Sequence, residues 1–444
     1  MDTNNAKTQI SDHDRLENAK RLNLSLEEFD RLLNSANHAY ETIKELGPFY
    51  GQEDVKEPTF RITAEPVTLP KGARQLFDNL GNDLLRLGRV LSDLPDEYKN
   101  MLGAGFDYRV PLAWRIDSII DKNNNIFVNE VEGIDSVSAL MTAEQIAYRL
   151  QTTEETTAYQ LVKSLRNIFP EKSHATLHIV MVRNLQNNPF TPNARRFIEL
   201  LAELSNNTII GDLLDIGDLE NGTVKPDWSK YDVVLNEAYC SPADLERFGV
   251  KIEQLYSAGN YHPLVNKGLF VLIHDESLDS FWVEKLGKEV FDRLKKRLIP
   301  SKYISTVEEL RQARANGSVI KVSWAEGNQI IINRAKGIAM IHGDMEETTD
   351  DRWSQIEEYF NKGYKVLAQD FVEPAKIPAY LRKKGTNLEP IEWYNRICVK
   401  YVVQGNPNGN SIPTVALTAI EVTLGPEVVP AGRKCTFTAG KFTE

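Results

Sequence analysis

The sequence predicts an α+β fold, and three observations predict it. The first hundred residues contain two stretches with the apolar period of amphipathic helices. The middle of the chain alternates short apolar runs with a helical stretch, which is typical of a small parallel sheet. The last part mixes helices with long runs rich in β-branched residues, which favour strands.

The composition indicates a globular protein with more than one packed unit. The 444 residues are 41% hydrophobic and 26% charged, with a formal net charge of −11. This balance argues against a nucleic-acid partner, which usually requires a basic face, and no apolar run has the length of a membrane span. Composition predicts no particular oligomeric state.

The cysteines and the N-terminal residues bear on location. Cys240, Cys398 and Cys435 are too widely separated to suggest a disulfide framework or a zinc site, which favours a reducing compartment. The first residues are polar and lack the apolar core of a signal peptide. We therefore expect a cytoplasmic protein.

Residues 1–104 are predicted to form an N-terminal helical region. A frayed tail over 1–20 is followed by a helix that begins at Ser25, with Glu28 three residues on as a capping box. A second amphipathic helix covers 75–91. We assign no chemistry to this region.

Residues 105–165 are predicted to contain a hairpin. The runs "RIDSII" and "NIFVNEVE" indicate two strands, joined by the turn "DKNNN". A helix is expected to begin at Thr142, in "TAEQIAYRLQ".

Two further regions complete the predicted organisation. Residues 166–260 alternate the strands "HIVMV", "TIIG" and "YDVVLN" with one helix, which predicts a small α/β unit with a parallel sheet. Residues 261–444 begin with a long helix over 280–300 and a second helix capped by Thr306. Strands and one more helix follow, and the antiparallel pair "RICVKYVVQG" and "TVALTAIEVTL" ends this region.

The hairpin carries the first set of candidate functional residues. Side chains alternate along a strand, so Glu130 and Glu132 share one face, roughly 7 Å apart, as do Arg115 and Asp117. Three carboxylates that converge could bind Mg²⁺, which prefers oxygen ligands. The alternative is a solvated charge network, worth only ~0–1 kcal/mol.

The other candidates lie farther along the chain. Lys267 stands in "HPLVNKGLF", and Lys321 lies inside the apolar strand "SVIKVSW". A buried lysine needs a negative partner, which could be a nucleotide phosphate or a nearby carboxylate. The turn "WAEGNQ", with its one glycine Gly327, could cover phosphates with backbone N–H groups. Gln369 ends a strand that could contact the edge of an adenine.

Several common motifs are missing from the sequence. It contains no G-x-G-x-x-G after a strand, no P-loop and no G-x-S-x-G nucleophile elbow. A phosphate site would therefore have to be built from residues that lie far apart in the chain.

The order of these pieces resembles that of the circularly permuted ATP-grasp ligases, in particular glutathionylspermidine synthetase and eukaryotic-type glutathione synthetase. The resemblance covers roughly residues 105–444 and rests on five short motifs in order. They are Arg115-Ile-Asp117, Glu130-Val-Glu132 with Ser136 and Ser138, Asn266-Lys267, Lys321 with "WAEGN", and Gln369 through Val372.

The resemblance implies a fold and a set of roles. Two α+β subdomains would clamp ATP, with the segment 166–260 as an inserted α/β unit that resembles a pre-ATP-grasp domain. The implied roles are Mg²⁺ ligands (Asp117, Glu130, Glu132), ATP contacts (Lys267, Lys321, Gly327, Gln369), catalysis (Arg115) and substrate contacts (Ser136, Ser138, Arg396).

The implied activity is an ADP-forming ligase that joins a small-molecule carboxylate to an amine through an acyl phosphate, with ATP and Mg²⁺ as cofactors. The sequence departs from the family pattern at two places. Glu132 replaces an asparagine, and the loop after Lys321 lacks a proline, one glycine and an arginine. The changed loop leaves open a nucleotide-binding protein that has lost turnover. A kinase-like phosphoryl transfer on the same scaffold is a further alternative.

Overall fold

The structure is a computed structural model, and it describes residues 11–46, 61–102, 107–133, 138–172, 175–185, 191–237, 240–257, 262–325, 338–339, 350–383, 387–410, 413–426 and 435–443. The α-helices of these residues are α1 (Asp12–Arg21), α2 (Leu26–Leu46), α3 (Ala73–Val90), α4 (Asp96–Leu102), α5 (Ser138–Ala147), α6 (Thr157–Ile168), α7 (Thr191–Leu204), α8 (Ile216–Glu220), α9 (Pro242–Arg247), α10 (Gly268–His274), α11 (Asp279–Leu286), α12 (Lys288–Arg297), α13 (Val307–Ala315) and α14 (Asp350–Asn361). The strands are β1 (Arg61–Ile62), β2 (Val67–Thr68), β3 (Ala113–Ile120), β4 (Ile126–Gly133), β5 (Leu177–Arg183), β6 (Ile209–Asp215), β7 (Val233–Asn236), β8 (Leu255–Ser257), β9 (Ser301–Tyr303), β10 (Val319–Ala325), β11 (Ile338–Ala339), β12 (Tyr364–Gln369), β13 (Lys376–Lys383), β14 (Asn387–Gln404), β15 (Thr414–Gly425) and β16 (Thr436–Lys441).

A large sheet forms the centre of the molecule. Its strands follow the order β1-β16-β15-β14-β3-β4, with β13 paired to β14 and β2 paired to β16. The hairpin of β3 and β4 is antiparallel, as predicted, and β14 pairs with β3 on its other side. The hairpin therefore shares one sheet with strands from the end of the chain.

One face of this sheet is apolar and packs on helices. Trp114 and Ile116 from β3, and Val399 and Tyr401 from β14, belong to the largest core cluster together with side chains of α3 and α10 to α12. Burial of each large apolar side chain stabilises the fold by about 1.5–3 kcal/mol. The period of two in β3 and β14 then sends alternate side chains, among them Arg115, Asp117 and Lys400, to the opposite face.

Helices α5 and α6 lie over the opposite face. Met141 of α5 packs against Cys398 and Ala419 of the sheet. In α6, Ser164 Oγ donates to the carbonyl of Val403 at 2.5 Å. These helices keep water away from much of a face that carries charged groups.

Two smaller sheets complete the fold. The first has the order β6-β5-β7-β8 and is parallel throughout, which confirms the predicted parallel unit in the middle of the chain. The second has the order β11-β10-β12-β9 and packs one face on α13 and α14. The mixture of α and β structure that the sequence predicts is thus confirmed.

Three helix predictions need correction. Helix α1 occupies much of the expected tail, because Ser11 caps it and Ala19 packs in a core cluster. Helix α5 begins at Ser138 rather than Thr142, and Asn193 Oδ1 accepts from its Leu140 N–H at 3.0 Å. The long helix expected over 280–300 is two helices, separated by Gly287 with φ of 83°.

None of the helices in the described ranges combines the length and the apolar character that crossing a bilayer requires.

Candidate functional site

The charged side chains of the large sheet form rows across its strands. One row runs through Glu421, Cys398, Asp117 and Glu130, which are paired in register across β15, β14, β3 and β4. Neighbouring strands lie about 4.8 Å apart, so this row spans about 14 Å. Glu421, Asp117 and Glu130 are the charged members of this row.

A second row lies beside the first. Lys400, Arg115 and Glu132 are paired in register across β14, β3 and β4. Arg396 lies two residues before Cys398 on β14 and so shares the face with both rows. Acidic groups are therefore concentrated at the β4 end, and cationic groups lie at the centre of the face.

The acidic end brings together the three predicted metal ligands. A carboxylate oxygen from each of Asp117, Glu130 and Glu132 lies within 4.8 Å of the others. Asp117 is buried, and the other two are partly exposed. Three hard oxygen donors at this spacing fit Mg²⁺ or another hard divalent cation.

Arg115 and Arg396 contact these carboxylates from the centre of the face. Arg115 Nε donates to Asp117 Oδ1 at 2.7 Å, and its Nη2 donates to Asp117 Oδ2 at 3.1 Å. Arg115 also forms an ion pair with Glu132. Arg396 Nη1 lies 3.6 Å from Asp117 Oδ2. The two guanidinium groups reduce the repulsion among the negatively charged carboxylates.

Lys267 approaches the acidic end from the helical side. It precedes α10, and its Nζ lies 2.6 Å from Glu130 Oε1. Burial alone would raise the pKa of the Glu130 carboxyl, but Lys267 and Lys321 outweigh it and lower this pKa to about 2. Glu130 is therefore ionised at neutral pH.

Lys321 approaches the same end from the second small sheet. Its Nζ donates to the carbonyl of Asn129 at 2.7 Å, and only 3% of the residue is exposed. Burial lowers the pKa of Lys321 to about 8, although Glu130 opposes the shift. The sequence left a phosphate and a carboxylate as possible partners, and in the structure a backbone carbonyl is the hydrogen-bond acceptor.

Gln369 shares a sheet face with Lys321. Lys321 pairs with Leu367 in the register of β10 and β12, and Gln369 lies two residues farther along β12. Its Nε2 donates to Ser301 Oγ at 3.3 Å, and the side chain is buried. This face is opposite to the one packed on α13 and α14.

Three predicted residues cannot be placed in the same detail. Ser136 and Gly327 lie outside the described residues. Ser138 is the first residue of α5, and its side chain lies outside the described part.

The structure adds buried charged residues that the sequence reasoning missed. Lys400 is 3% exposed, and burial together with Arg115 lowers its pKa to about 7. Glu421 and Glu144 are also buried, and burial raises the pKa of both carboxyls. The signal for Lys400 and Glu421 was a charge inside an apolar strand run, as for Lys321. Glu144 gave no comparable signal, because a glutamate in a helix is ordinary.

A buried ion pair lies at the carboxyl ends of the parallel strands. Arg183 ends β5, Glu237 follows β7, and Arg183 Nη1 lies 2.9 Å from Glu237 Oε2. Glu237 also interacts electrostatically with Lys400. This edge of the parallel sheet therefore faces the charged rows, and ligands commonly bind at such edges.

Comparison with known proteins supports a shared fold. No protein-family model and no curated protein matches the sequence. The chain is similar to the structure of a glutathione synthetase-like effector from Globodera pallida in its apo form. The TM-score is 0.58 and the identity 12%, over 93% of this chain and 96% of that chain.

A second solved structure, from Methylobacillus flagellatus, is assigned as a gamma-glutamylcysteine synthetase. Its TM-score is 0.40 and its identity 8%, over 81% of this chain and 84% of that chain. The first comparison alone carries the conclusion, which is that this chain shares the fold of the glutathione synthetase-like effector.

Proposed function

We propose that this protein is an ATP-dependent, ADP-forming ligase that joins a carboxylate to an amine. The observation that carries the proposal is the group of Asp117, Glu130 and Glu132, with Lys267 and Lys321 beside it from two other elements. The shared fold with a glutathione synthetase-like protein supports it. In this proposal the large sheet and the sheet of β10 and β12 belong to the two subdomains of a permuted ATP-grasp fold.

Asp117, Glu130 and Glu132 would hold Mg²⁺, because they supply three clustered oxygen ligands. When bound, the ion would neutralise negative charge on the phosphates. In the structure, Lys267 forms an ion pair with Glu130, and Arg115 forms one with Glu132. With metal and nucleotide bound, Lys267 would contact phosphate oxygens and Arg115 the substrate carboxylate in place of these glutamates.

The chain's own residues supply position and charge. Lys267 and Lys321 hold the phosphates at the β4 end, and Gln369 lies on the face of β12 where an adenine would bind. Arg115 orients the substrate carboxylate against the transferring phosphoryl group. Arg396, Ser136 and Ser138 contact the substrate.

The reaction has two steps. The γ-phosphoryl group passes from ATP to the substrate carboxylate, giving ADP and an acyl phosphate. An amine then attacks the acyl carbon, loses a proton, and releases inorganic phosphate. We place this activity in the cytoplasm, a location with which the free, buried Cys240 and Cys398 agree.

The test is ADP release by the purified protein with Mg·ATP and pooled amino acids, short peptides and polyamines. The proposal predicts ADP release that requires both an acid and an amine, with a product mass equal to their sum less water. ADP release with an acid alone indicates a kinase. Nucleotide binding without turnover across all pools contradicts the ligase and indicates a binding protein.

A further inference from the structure

We propose that Glu144 and Glu421 form the amine subsite of this enzyme and bind the ammonium group of the amine substrate. This inference rests on the proposed ligase function and names two residues to which that function gave no role. Two observations lead to it. Helix α5 packs on the large sheet, and the proposed metal and nucleotide contacts do not involve Glu421, at the β15 end of the charged row.

Helix α5 places Glu144 over the sheet at Glu421. Gln145 Nε2 donates to the carbonyl of Ile420 at 2.7 Å, and Met141 packs against Cys398 and Ala419. Glu144 lies three residues after Met141, so these two side chains share a helix face. Glu421 follows Ile420 directly and interacts electrostatically with Glu144, so the two carboxyls lie near each other where α5 packs on the charged face.

The two carboxyls are buried and poorly supplied with hydrogen-bond donors. Glu144 is 0% exposed and Glu421 is 2% exposed. Within the described residues, neither oxygen of Glu144 and not Oε2 of Glu421 has a hydrogen-bond partner. Glu421 Oε1 accepts from Thr423 Oγ1 at 3.5 Å, which is a long contact. Buried carboxyls without hydrogen-bond partners are costly, and a ligand that brings donors and a positive charge would satisfy them in the ionised form.

The chemistry of the missing partner is that of an ammonium group. A carboxylate only accepts hydrogen bonds, and an ammonium group donates three and carries the opposite charge. A metal ion fits less well. Among the described residues, the three acidic side chains close enough to hold one are Asp117, Glu130 and Glu132, and neither Glu144 nor Glu421 belongs to that group. Burial, with added repulsion from Glu421, raises the pKa of Glu144, whereas at Glu421 the cations Arg115, Arg396 and Lys400 oppose the effect of burial. Of the two acids, Glu144 is therefore the one that most needs a cation from a ligand.

The position of the pair selects the amine rather than the acid substrate. Lys267 and Lys321 place ATP at the β4 end of the row, and Arg115 places the reacting carboxylate near Asp117. Glu421 lies two strands beyond Asp117 in the same row, about 10 Å away. The amine therefore reaches the acyl carbon from the side opposite to the phosphates.

The first test measures binding without turnover. The probe is ethylamine, observed by saturation-transfer NMR with and without Mg²⁺ and a non-hydrolysable ATP analogue, and ethanol serves as the neutral probe of the same size. We expect ethylamine to bind and ethanol not to bind. Glu421→Gln and Glu144→Gln should each weaken ethylamine binding at least tenfold, and Glu97→Gln, an exposed acid of α4, should not.

The second test uses the acid and amine identified by ADP release. Hydroxylamine, a neutral nucleophile near pH 7, traps acyl phosphates as hydroxamates and needs no ammonium site. Glu421→Gln should raise the ratio of hydroxamate to amide at least tenfold, through a higher KM for the amine. Circular dichroism and thermal unfolding verify that each variant is folded. If Glu421→Gln does not fold, the ratio of hydroxamate to amide measured with Glu144→Gln tests the subsite instead.

The two failures are distinguishable. No ethylamine binding by the wild-type protein, or equal binding by all variants, overturns the amine subsite whether or not the ligase is active. Absence of ADP release overturns the ligase. The ethylamine measurement then still tests whether Glu144 and Glu421 bind an ammonium group.

Discussion

Glu130 is the single side chain on which the candidate metal site depends most. It lies at the end of the charged row, contacts Lys267, and interacts electrostatically with Lys321 and Arg115. These cations keep the Glu130 carboxyl ionised, so it could bind a metal ion in place of its contact with Lys267.

Glu130→Gln should remove one metal ligand with little change in side-chain volume. We expect Mn²⁺ binding in the presence of ADP to fall at least tenfold, as measured by titration calorimetry or by the EPR signal of free Mn²⁺. Glu97→Gln is the control. Unchanged Mn²⁺ affinity in folded Glu130→Gln would rule out the assignment of Asp117, Glu130 and Glu132.

His262 gives a separate prediction about stability. It is fully buried, its Nδ1 accepts from the Leu264 N–H at 3.0 Å, and burial lowers its pKa to about 4. In the unfolded chain the histidine pKa is about 6.5, so the unfolded state binds more protons between these values. The contribution of His262 to stability is complete above pH 6.5 and is lost as the pH falls toward 4.

His262→Asn should keep the cap, because asparagine also accepts from the N–H two residues on, and should remove the titration. We expect the free energy of unfolding of the wild type to fall relative to the variant by up to about 3 kcal/mol between pH 7 and pH 4. Urea unfolding at several pH values measures this. A parallel pH dependence of the two proteins would contradict it.

Sequence reasoning at this scale works where chemistry follows from local spacing. Arg115, Asp117, Glu130 and Glu132 are two residues apart on adjacent strands of one hairpin, so alternation alone brings them to one face. Lys400, Glu421 and Glu144 join them only through the pairing of β14 with β3 and the packing of α5. These contacts link positions that are far apart in sequence, so no local pattern predicts them.

At the scale of elements, α3 shows how closely the helices pack on the sheet. Tyr401 OH donates to the carbonyl of Phe77 at 2.9 Å, and a Cβ at Gly81 would lie 2.6 Å from the ring of Tyr401. A Cβ at Gly88, seven residues on in the same helix, would meet Val110 at 3.4 Å, an ordinary contact. The two glycines therefore offer a matched pair.

Gly81→Ala should lower the free energy of unfolding by about 1–2 kcal/mol, because overpacking outweighs the better helix propensity of alanine. Gly88→Ala should raise it by about 0.5–1 kcal/mol from helix propensity alone. Urea unfolding of both variants gives the comparison. Stabilisation by both substitutions would show that α3 does not pack on Tyr401 as described.

The differences between expected and observed elements have local causes. Periodicity predicts the existence of helices well, but their ends depend on partners such as Asn193, which accepts from the first turn of α5. The helix break at Gly287 could have been predicted, since an isolated glycine in a helical pattern can mark the end of a helix. Strand β13 pairs with β14 and contains Pro378, a residue that weakens a strand pattern.

At the scale of the whole molecule, the candidate site joins the large sheet to the sheet of β10 and β12. Lys321 reaches from one to the other and donates to the Asn129 carbonyl. Nucleotide bound between Lys267 and Lys321 would therefore stabilise the contact between the two sheets. The order of the motifs in the sequence indicated that Lys267 and Lys321 would lie near the hairpin. The large sheet could not be predicted in this way, because it pairs strands that are far apart in the sequence.

Lys321→Met should keep most of the buried volume and remove the charge. Saturating Mg·ADP, at one hundred times its Kd, should stabilise the wild type by about 2.7 kcal/mol and the variant by much less. Thermal unfolding with and without nucleotide measures the difference, and a lysine exposed on α12, Lys296→Met, is the control. An equal nucleotide effect on both proteins would remove Lys321 from the nucleotide site.

The most direct measurement of the central claim follows one oxygen atom. The acid identified by ADP release is labelled with oxygen-18 in its carboxylate, and the inorganic phosphate formed with Mg·ATP and the amine is analysed by mass spectrometry. Ligation through an acyl phosphate transfers one labelled oxygen to each phosphate released, which is the result we predict. Unlabelled phosphate would show that ATP is hydrolysed without phosphorylation of the acid, and would contradict the ligase.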